Sequence, residues 1–105
     1  MIKFVASDLD GTLLDGERRL PEGIFPLIRK LHSLGVLFAP SSGRQYANLK
    51  KLFAPVVNDV LFICENGALV KFRGKTLHLS PIRDRDVLDA VREVRALPHL
   101  YPMLC

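Results

Sequence analysis

The stretch that decides the fold is Val5-Ala6-Ser7-Asp8-Leu9-Asp10-Gly11-Thr12-Leu13-Leu14, close to the start of the chain. The mainly apolar residues 2–7 predict a buried parallel strand whose carboxyl end opens into a polar loop. On an extended strand end, Asp8 and Asp10 would point to the same side because side chains alternate. Two carboxylates so near each other repel unless a cation or a shared proton lies between them. We therefore expect a paired carboxylate site here, against the alternative of a solvated turn or helix cap.

Two further apolar runs lie outward from this stretch, and each stops at a small polar motif. Residues 36–39 are followed by Ser41-Ser42-Gly43-Arg44, and residues 60–64 are followed by Glu65-Asn66-Gly67. Helical patterns separate the three runs, so we predict an α/β fold with a parallel sheet and a site at the strand carboxyl ends. The two serines could instead cap a helix that runs to about Phe53, and Asn66 could be a turn residue ahead of Gly67.

The helical patterns themselves are marked by apolar spacing. The first helix shows apolar residues three and four apart, which places them on one face: Ile24, Leu27, Ile28, Leu31 and Leu34. Two short alternating runs around Arg73-Gly74-Lys75 predict a β-hairpin over residues 68–79. Beyond it, the apolar spacing from Asp84 predicts a helix over about 84–97, closed by Pro98.

Composition limits the possible classes of protein. The chain has 105 residues, of which 49% are hydrophobic and 25% charged, so one modest core is the expectation. Its net charge of +4 fits an anionic partner, yet the basic residues are scattered, and we expect no nucleic-acid binding. Neither a signal peptide nor a membrane span is expected, so we predict a cytoplasmic protein. We interpret Cys64 and Cys105 as reduced thiols because their separation suits neither a metal site nor a disulfide framework.

The stretch from Val5 to Leu14 resembles the first signature of the haloacid dehalogenase-like hydrolases, an apolar strand followed by Asp-x-Asp-Gly-Thr. The resemblance implies that Asp8 attacks the substrate phosphorus and forms an aspartyl-phosphate. It also implies that Asp10 protonates the leaving oxygen and later deprotonates the attacking water. Mg²⁺ would be bound by Asp8 and by the main-chain carbonyl of Asp10. The neighbouring Leu9, Gly11 and Thr12 would contact the phosphate.

The other polar motifs extend this resemblance. Ser42-Gly43-Arg44 is similar to the family's Ser/Thr-Gly-Arg signature, in which the hydroxyl, here Ser42, binds phosphate and Gly43 permits its close approach. Arg44 would contact the substrate or line the cleft, against the alternative of an exposed structural arginine. Asn66 belongs to a Glu-Asn-Gly-Ala string that is typical of the Cof-type subgroup and would face the mouth of the site. The resemblance implies a Rossmann-like parallel sheet that forms an incomplete core over residues 1–81, including the hairpin. Residues 82–105 would begin an inserted α/β cap domain.

Longer members of the family, by the same resemblance, carry two further elements: a lysine that steadies the nucleophile and an acidic loop that completes the magnesium site. Because the first strand is central in the complete fold, its outer edge would be unpaired here and open to self-association. The function implied is magnesium-dependent hydrolysis of a small phosphorylated metabolite. The alternatives are a non-catalytic fragment or binding module with a phosphate cradle, and a sugar phosphomutase of the same superfamily.

Overall fold

The computed structural model describes residues 1–104 and contains five strands and three helices in that range. In chain order they are β1 Phe4–Asp8, α1 Ile24–Ser33, β2 Leu37–Ser41, α2 Tyr46–Leu52, β3 Leu61–Cys64, β4 Leu69–Phe72, β5 Lys75–Leu79 and α3 Asp84–Arg95. Three short wound turns, Leu9–Leu13, Ala54–Val56 and Glu65–Gly67, connect them. The first and last of these turns come directly after β1 and β3, where the polar motifs lie.

The five strands form one sheet in the order β1-β2-β3-β4-β5. The first three are parallel, with β1 aligned to β2 from Phe4 opposite Leu37 to Asp8 opposite Ser41. The last two are antiparallel and turn at Arg73 and Gly74, which confirms the predicted hairpin. The predicted α/β fold with a parallel sheet is confirmed, and β1 lies at an edge of the sheet formed by residues 1–104.

The core lies between the sheet and helices α1 and α2. Its buried residues come from the first turn, both helices and the inner strands: Leu9, Leu14, Ile24, Ile28, Phe38, Leu49, Phe53, Val56, Val60, Phe62 and Cys64. Phe53 makes ring contacts with Phe38 and Phe62 at centroid distances of 6.4 Å. Apolar burial of this kind is the main stabilising contribution to a domain of this size.

The apolar face of α1 is narrower than its spacing predicts. Ile24 and Ile28 are buried, whereas Leu27 is 52% exposed and Leu34 is 66% exposed. At about 100° per residue, Leu27 and Leu34 lie about 60° and 80° from Ile24 in the same direction, on the flank of the helix. Within residues 1–104 that flank has no element packed against it closely enough to bury these side chains.

Residues beyond the hairpin pack more loosely. Helix α3 ends at Arg95, close to the predicted end, and none of its side chains is buried. An irregular segment, residues 80–83, separates β5 from α3, and the domain boundary at 81/82 stays a prediction. Cys64 is a buried free thiol, as expected, while Cys105 falls outside the described residues. No helix among residues 1–104 is long and apolar enough to cross a membrane.

Candidate active site

The polar motifs meet at one edge of the sheet because β1, β2 and β3 are adjacent and parallel. Asp8 ends β1 and lies opposite Ser41, which ends β2, and Ser41 in turn lies opposite Ile63 of β3. The carboxyl ends of parallel strands are where α/β folds generally bind ligands. The structure therefore brings the three predicted motifs to a common place.

Strand β1 ends at Asp8, and the wound turn that follows still holds Asp10 in an extended backbone conformation, with φ −71° and ψ 116°. Leu9 turns into the core, where it is fully buried, and its carbonyl accepts a hydrogen bond from Leu14 N at 2.9 Å. Gly11 has a φ of +80°, a left-handed conformation that glycine adopts without steric cost. Asp8 and Asp10 are both exposed, on either side of the buried Leu9, although only Asp8 belongs to β1. Since its side chain lies in the core, Leu9 offers a ligand only its backbone.

Asp8 is oriented by Thr12, one turn further along. The Thr12 Oγ1 hydroxyl donates a hydrogen bond to Asp8 Oδ2 at 3.0 Å, and both residues are exposed. Among residues 1–104, no donor is bound to the second carboxylate oxygen, Oδ1. The carboxylate is thus held at one oxygen and open at the other, which suits either attack on an electrophile or binding of a cation.

Asp10 is bound by a side chain from the next strand. Arg44 donates from Nε to Asp10 Oδ2 at 3.0 Å and from Nη2 to Asp10 Oδ1 at 2.6 Å. This hydrogen bond, together with the positive charges of Arg44 and Arg18, holds the pKa of the Asp10 carboxyl below its usual range, against a partial opposing effect of desolvation. In this arrangement Asp10 is ionised at neutral pH.

Ser42 is the best-buried polar residue of the site, with 8% of its surface exposed. Its backbone N–H donates to Ile63 O at 3.0 Å, and its hydroxyl oxygen accepts from Arg44 N at 3.1 Å. The hydroxyl hydrogen can therefore be donated to a ligand, whereas the backbone N–H cannot. The alternative that the serines cap α2 is wrong, because α2 begins at Tyr46 and Gln45 occupies the capping position.

The turn that contains Asn66 is joined to the Ser42 loop by two backbone hydrogen bonds. Asn66 N donates to Ser42 O at 3.1 Å, and Glu65 N donates to Arg44 O at 3.2 Å. Glu65, Asn66 and Gly67 all have positive φ, at 51°, 55° and 95°, so the interpretation of Asn66 as a turn residue is confirmed. Conformations of this kind persist only where the surroundings enforce them, as these backbone bonds do.

The Asn66 side chain lies directly over Gly43. A Cβ atom at position 43 would be 3.2 Å from Asn66 Oδ1, closer than ordinary contact, and 3.4 Å from Asn66 Nδ2. Within residues 1–104 neither the Asn66 carboxamide nor the Gly43 N–H has a hydrogen-bond partner. Uncommitted donors from Ser42, Gly43 and Asn66 thus lie next to one another, as binding of an oxyanion requires.

Sequence reasoning missed the pairing of Arg44 with Asp10 and the positive charge of Arg18 near the same carboxyl. Arg44 and Asp10 are 34 residues apart in the chain, and no periodicity connects them. The signal that could have suggested the pair was topological, since both residues come after the carboxyl ends of strands predicted to be neighbours.

The carboxylates also bear on whether the site fits a divalent cation. Asp8 and the Asp10 carbonyl are the hard oxygen donors that Mg²⁺ prefers, and Mg²⁺ commonly binds through one or two carboxylates with water and substrate phosphate completing its shell. Among residues 1–104, however, no three His, Cys, Asp or Glu residues cluster closely enough to hold an ion. The residues therefore fit part of a magnesium site.

Comparison with known proteins identifies the family. A model of the haloacid dehalogenase-like hydrolases matches residues 5–103. The chain is 34% identical over 103 residues to a phosphoglycolate phosphatase of Methanospirillum hungatei. The alignment covers 96% of this chain and 42% of that relative. It is 27% identical over 105 residues to the 5-amino-6-(5-phospho-D-ribitylamino)uracil phosphatase of Escherichia coli, covering 99% of this chain and 39% of that enzyme. An HMP-PP phosphatase from Enterobacter is 29% identical over 92 residues, and the alignment covers 87% of this chain and 34% of that phosphatase.

Solved structures show the same fold. A haloacid dehalogenase-like hydrolase from B. subtilis superposes with a TM-score of 0.78 at 25% identity, covering 90% of this chain and 34% of that one. A Streptococcus mutans protein superposes with a TM-score of 0.81 at 23% identity, and the superposition covers 91% of this chain and 36% of that protein. The chain thus spans about two fifths of the length of the relatives it matches. The predicted family and Cof-type subgroup are confirmed, and the chain belongs to the haloacid dehalogenase-like hydrolases.

Proposed function

We propose that this chain carries the nucleophile side of a phosphatase site, in which Asp8 attacks the phosphorus of a small phosphorylated metabolite. One observation carries the proposal: Asp8, the Ser42-Gly43-Arg44 loop and the Asn66 turn converge at the carboxyl ends of three adjacent parallel strands. A carboxylate nucleophile beside a set of oxyanion donors is the arrangement that phosphoryl transfer through a covalent intermediate requires.

The proposed reaction has two steps. Asp8 Oδ1 forms a bond to phosphorus while the bond from phosphorus to the leaving oxygen breaks, which gives an aspartyl-phosphate and a leaving group that takes a proton from Asp10. Water then attacks the same phosphorus, loses its proton to Asp10 and releases inorganic phosphate with regeneration of Asp8. The Arg44 pair favours the ionised, proton-accepting form of Asp10, so the first step requires that Asp10 take up a proton beforehand.

The phosphoryl oxygens would be bound by the donors beside Asp8. The Ser42 hydroxyl, the Gly43 N–H and the Asn66 amide are uncommitted and adjacent, and Gly11 and Thr12 border the same carboxylate. Because Asn66 covers Gly43, the two loops present their donors as one surface. Donors fixed in advance stabilise charge more effectively than mobile ones because they need no reorganisation.

Magnesium is the proposed cofactor, bound by an Asp8 oxygen and the Asp10 carbonyl. It would supply positive charge that offsets repulsion between the nucleophile and the phosphoryl oxygens. Residues 1–104 supply no group of three His, Cys, Asp or Glu side chains that would complete the ligands of the ion. We therefore expect the 105-residue chain alone to bind Mg²⁺ weakly and to turn over little substrate.

The substrate class is inferred from the relatives. They are named as phosphatases of phosphoglycolate, of a phosphoribitylamino-uracil and of HMP-PP, all small phosphorylated molecules. A second candidate, a non-catalytic module that binds phosphate, is favoured by the small number of acidic ligands at the site. Self-association through the outer edge of β1 and a cytoplasmic location stay predictions.

The experiment that tests the nucleophile uses the full chain with saturating Mg²⁺ and beryllofluoride, which forms a phosphoryl-like adduct on an aspartate. We expect fluorine NMR resonances of a bound adduct in the wild type and none in Asp8→Asn. Asp15→Asn is the matched control, since Asp15 is an exposed aspartate bound by Arg19 outside the site.

The outcomes separate the candidates. An adduct that survives in Asp8→Asn would show that the nucleophile is misassigned, and its absence from the wild type would favour the phosphate-binding module. Rapid, Asp8-dependent hydrolysis of an aryl phosphate by the 105-residue chain would contradict the incompleteness of the site. An isomerised sugar phosphate in place of free phosphate would identify a phosphomutase.

A further inference from the structure

Arg44 uses one edge of its guanidinium group and leaves the other edge unoccupied. The Nε and Nη2 atoms bind the two oxygens of Asp10 at 3.0 and 2.6 Å. A guanidinium group has five N–H donors, so three remain, including both on Nη1. Among residues 1–104 no acceptor is bound to these three, and 29% of the Arg44 side chain is exposed. The second edge therefore has no acceptor from residues 1–104 and belongs to a partly exposed side chain.

The backbone of Arg44 is held as firmly as its side chain. Its N–H donates to the Ser42 hydroxyl oxygen at 3.1 Å, and its carbonyl accepts from Glu65 N at 3.2 Å. Asp10 thus anchors the tip of the side chain, while Ser42 and Glu65 anchor its base. A long side chain fixed at both ends loses little further entropy when its free edge binds.

We propose that Arg44 binds the substrate's phosphoryl group through its Nη1–Nη2 edge while its Nε–Nη2 edge stays bonded to Asp10. This proposal rests on the proposed function, since it assumes that an oxyanion occupies the donors of Ser42 and Gly43. Asp10 is then a positioning residue for Arg44 as well as the acid and base. The planar fork of a guanidinium matches two oxygens of one phosphate.

The arrangement also answers an electrostatic difficulty. A phosphate beside Asp8 and Asp10 brings three anionic groups together, and they repel one another. A guanidinium between Asp10 and the phosphate attracts both, so the ion pair need not open for the anion to bind. The opposing possibility is a latch, in which the incoming phosphate pulls Arg44 away from Asp10.

NMR of the isotope-labelled 105-residue chain, titrated with inorganic phosphate, separates these possibilities. We expect the backbone amides of Ser42 and Gly43 and the Nη resonances of Arg44 to shift together. The Arg44 Nε–H resonance should keep its slow exchange with water because its bond to Asp10 is retained. Arg73 is the internal control, since its Nε donates to Asn58 O at 3.2 Å, away from the site.

Two variants test the roles of the two edges. Arg44→Lys should weaken phosphate binding about tenfold, since an ammonium cannot bind Asp10 and phosphate through a fork. The backbone bond to Ser42 does not need the guanidinium, so unchanged Ser42 and Asn66 amide shifts will show that the loops are intact. Arg73→Lys should bind phosphate as the wild type does.

Asp10→Asn distinguishes positioning from simple charge. If Asp10 acted on the phosphate only by repulsion, its neutralisation would tighten phosphate binding. If Asp10 orients Arg44, binding becomes no tighter and the Arg44 Nε–H exchanges faster with water.

The failures are distinct. Loss of the Arg44 Nε–H bond on phosphate binding would establish the latch and overturn the proposal, as would wild-type affinity in Arg44→Lys. Tighter binding in Asp10→Asn would also overturn it. Absence of any shift at Ser42 and Gly43 would overturn the phosphate cradle itself, and with it this inference.

Discussion

Two amphipathic regions of the chain differ in whether their apolar side chains are buried. In the region from β1 to β3, apolar residues of the helices and strands form one buried core that extends from Leu9 to Cys64. In α3, apolar residues recur at the same helical spacing, yet none of them is buried, and Leu88 is 57% exposed. An amphipathic pattern therefore predicts a helix, whereas burial of its apolar face also requires another element packed against that face.

The surroundings of α3 show what is missing. Val87, Val91 and Val94 line an open, mainly apolar cavity of about 300 Å³, together with Ile82 and Met103 from the flanking segments. Segments without regular structure cover this face in part, whereas the core helices pack directly on the sheet. We therefore expect the stability of the chain to be concentrated in residues 4–72.

Hydrogen exchange of backbone amides should give the largest contrast. Amides of β2 and β3 should exchange only on global unfolding, because their strands pair on both sides in the sheet. Amides of the 12-residue α3 should exchange with a protection of less than about 2 kcal/mol, since a helix of that length is marginal without packing. Equal protection of α3 and β3 would show that α3 unfolds together with the core.

Truncation of one leucine in each region gives the next largest contrast. Leu49→Ala should lower the free energy of unfolding by about 2–5 kcal/mol, because Leu49 is fully buried and its removal leaves a cavity. Leu88→Ala, the matched control on α3, should change it by less than about 0.5 kcal/mol. Urea denaturation followed by circular dichroism measures both values, and equal losses would contradict the division into two regions.

Two partly exposed aspartates give the smallest contrast. Asp59 lies 3.0 Å from His32 Nδ1, a contact that connects α1 to the segment before β3, so Asp59→Asn should lower global stability by about 0.5 kcal/mol. Asp86 pairs with Arg83 at 2.6 Å in the first turn of α3, where a carboxylate favours the helix dipole.

Asp86→Asn should therefore reduce the helical signal of α3 and leave the denaturation midpoint unchanged. A shift of that midpoint as large as the one from Asp59→Asn would mean that α3 is coupled to the core after all.

Local residue patterns predicted much of the fold. The three parallel strands, the hairpin and the helices were predicted from apolar runs and spacing, and the strand ends correctly indicated where the polar motifs would gather. The errors arose where packing overrode local pattern. Strand β1 was predicted to be buried but contains no buried residue, because it lies at an edge of the sheet formed by residues 1–104, and Leu27 was left exposed on the flank of α1.

The candidate site divides in the same way. Its residue types, Asp8, Asp10, Ser42 and Asn66, stand in recognisable strings because each string closes a strand. Which of them touch depends on contacts between strings that are far apart in sequence. The Arg44 pair with Asp10 and the contact of Asn66 with Gly43 are of this kind.

The sequence by itself determined the order of strands and helices, the family and the kinds of side chain at the sheet edge, because these depend on local periodicity and short motifs. Tertiary structure alone decided that Thr12 orients Asp8, that Arg44 lowers the pKa of the Asp10 carboxyl, and that no side chain of α3 is buried. The physical reason is that hydrogen bonds, charge interactions and burial act through space over a few ångströms. Periodicity along the chain does not indicate which residues, far apart in sequence, come within that range.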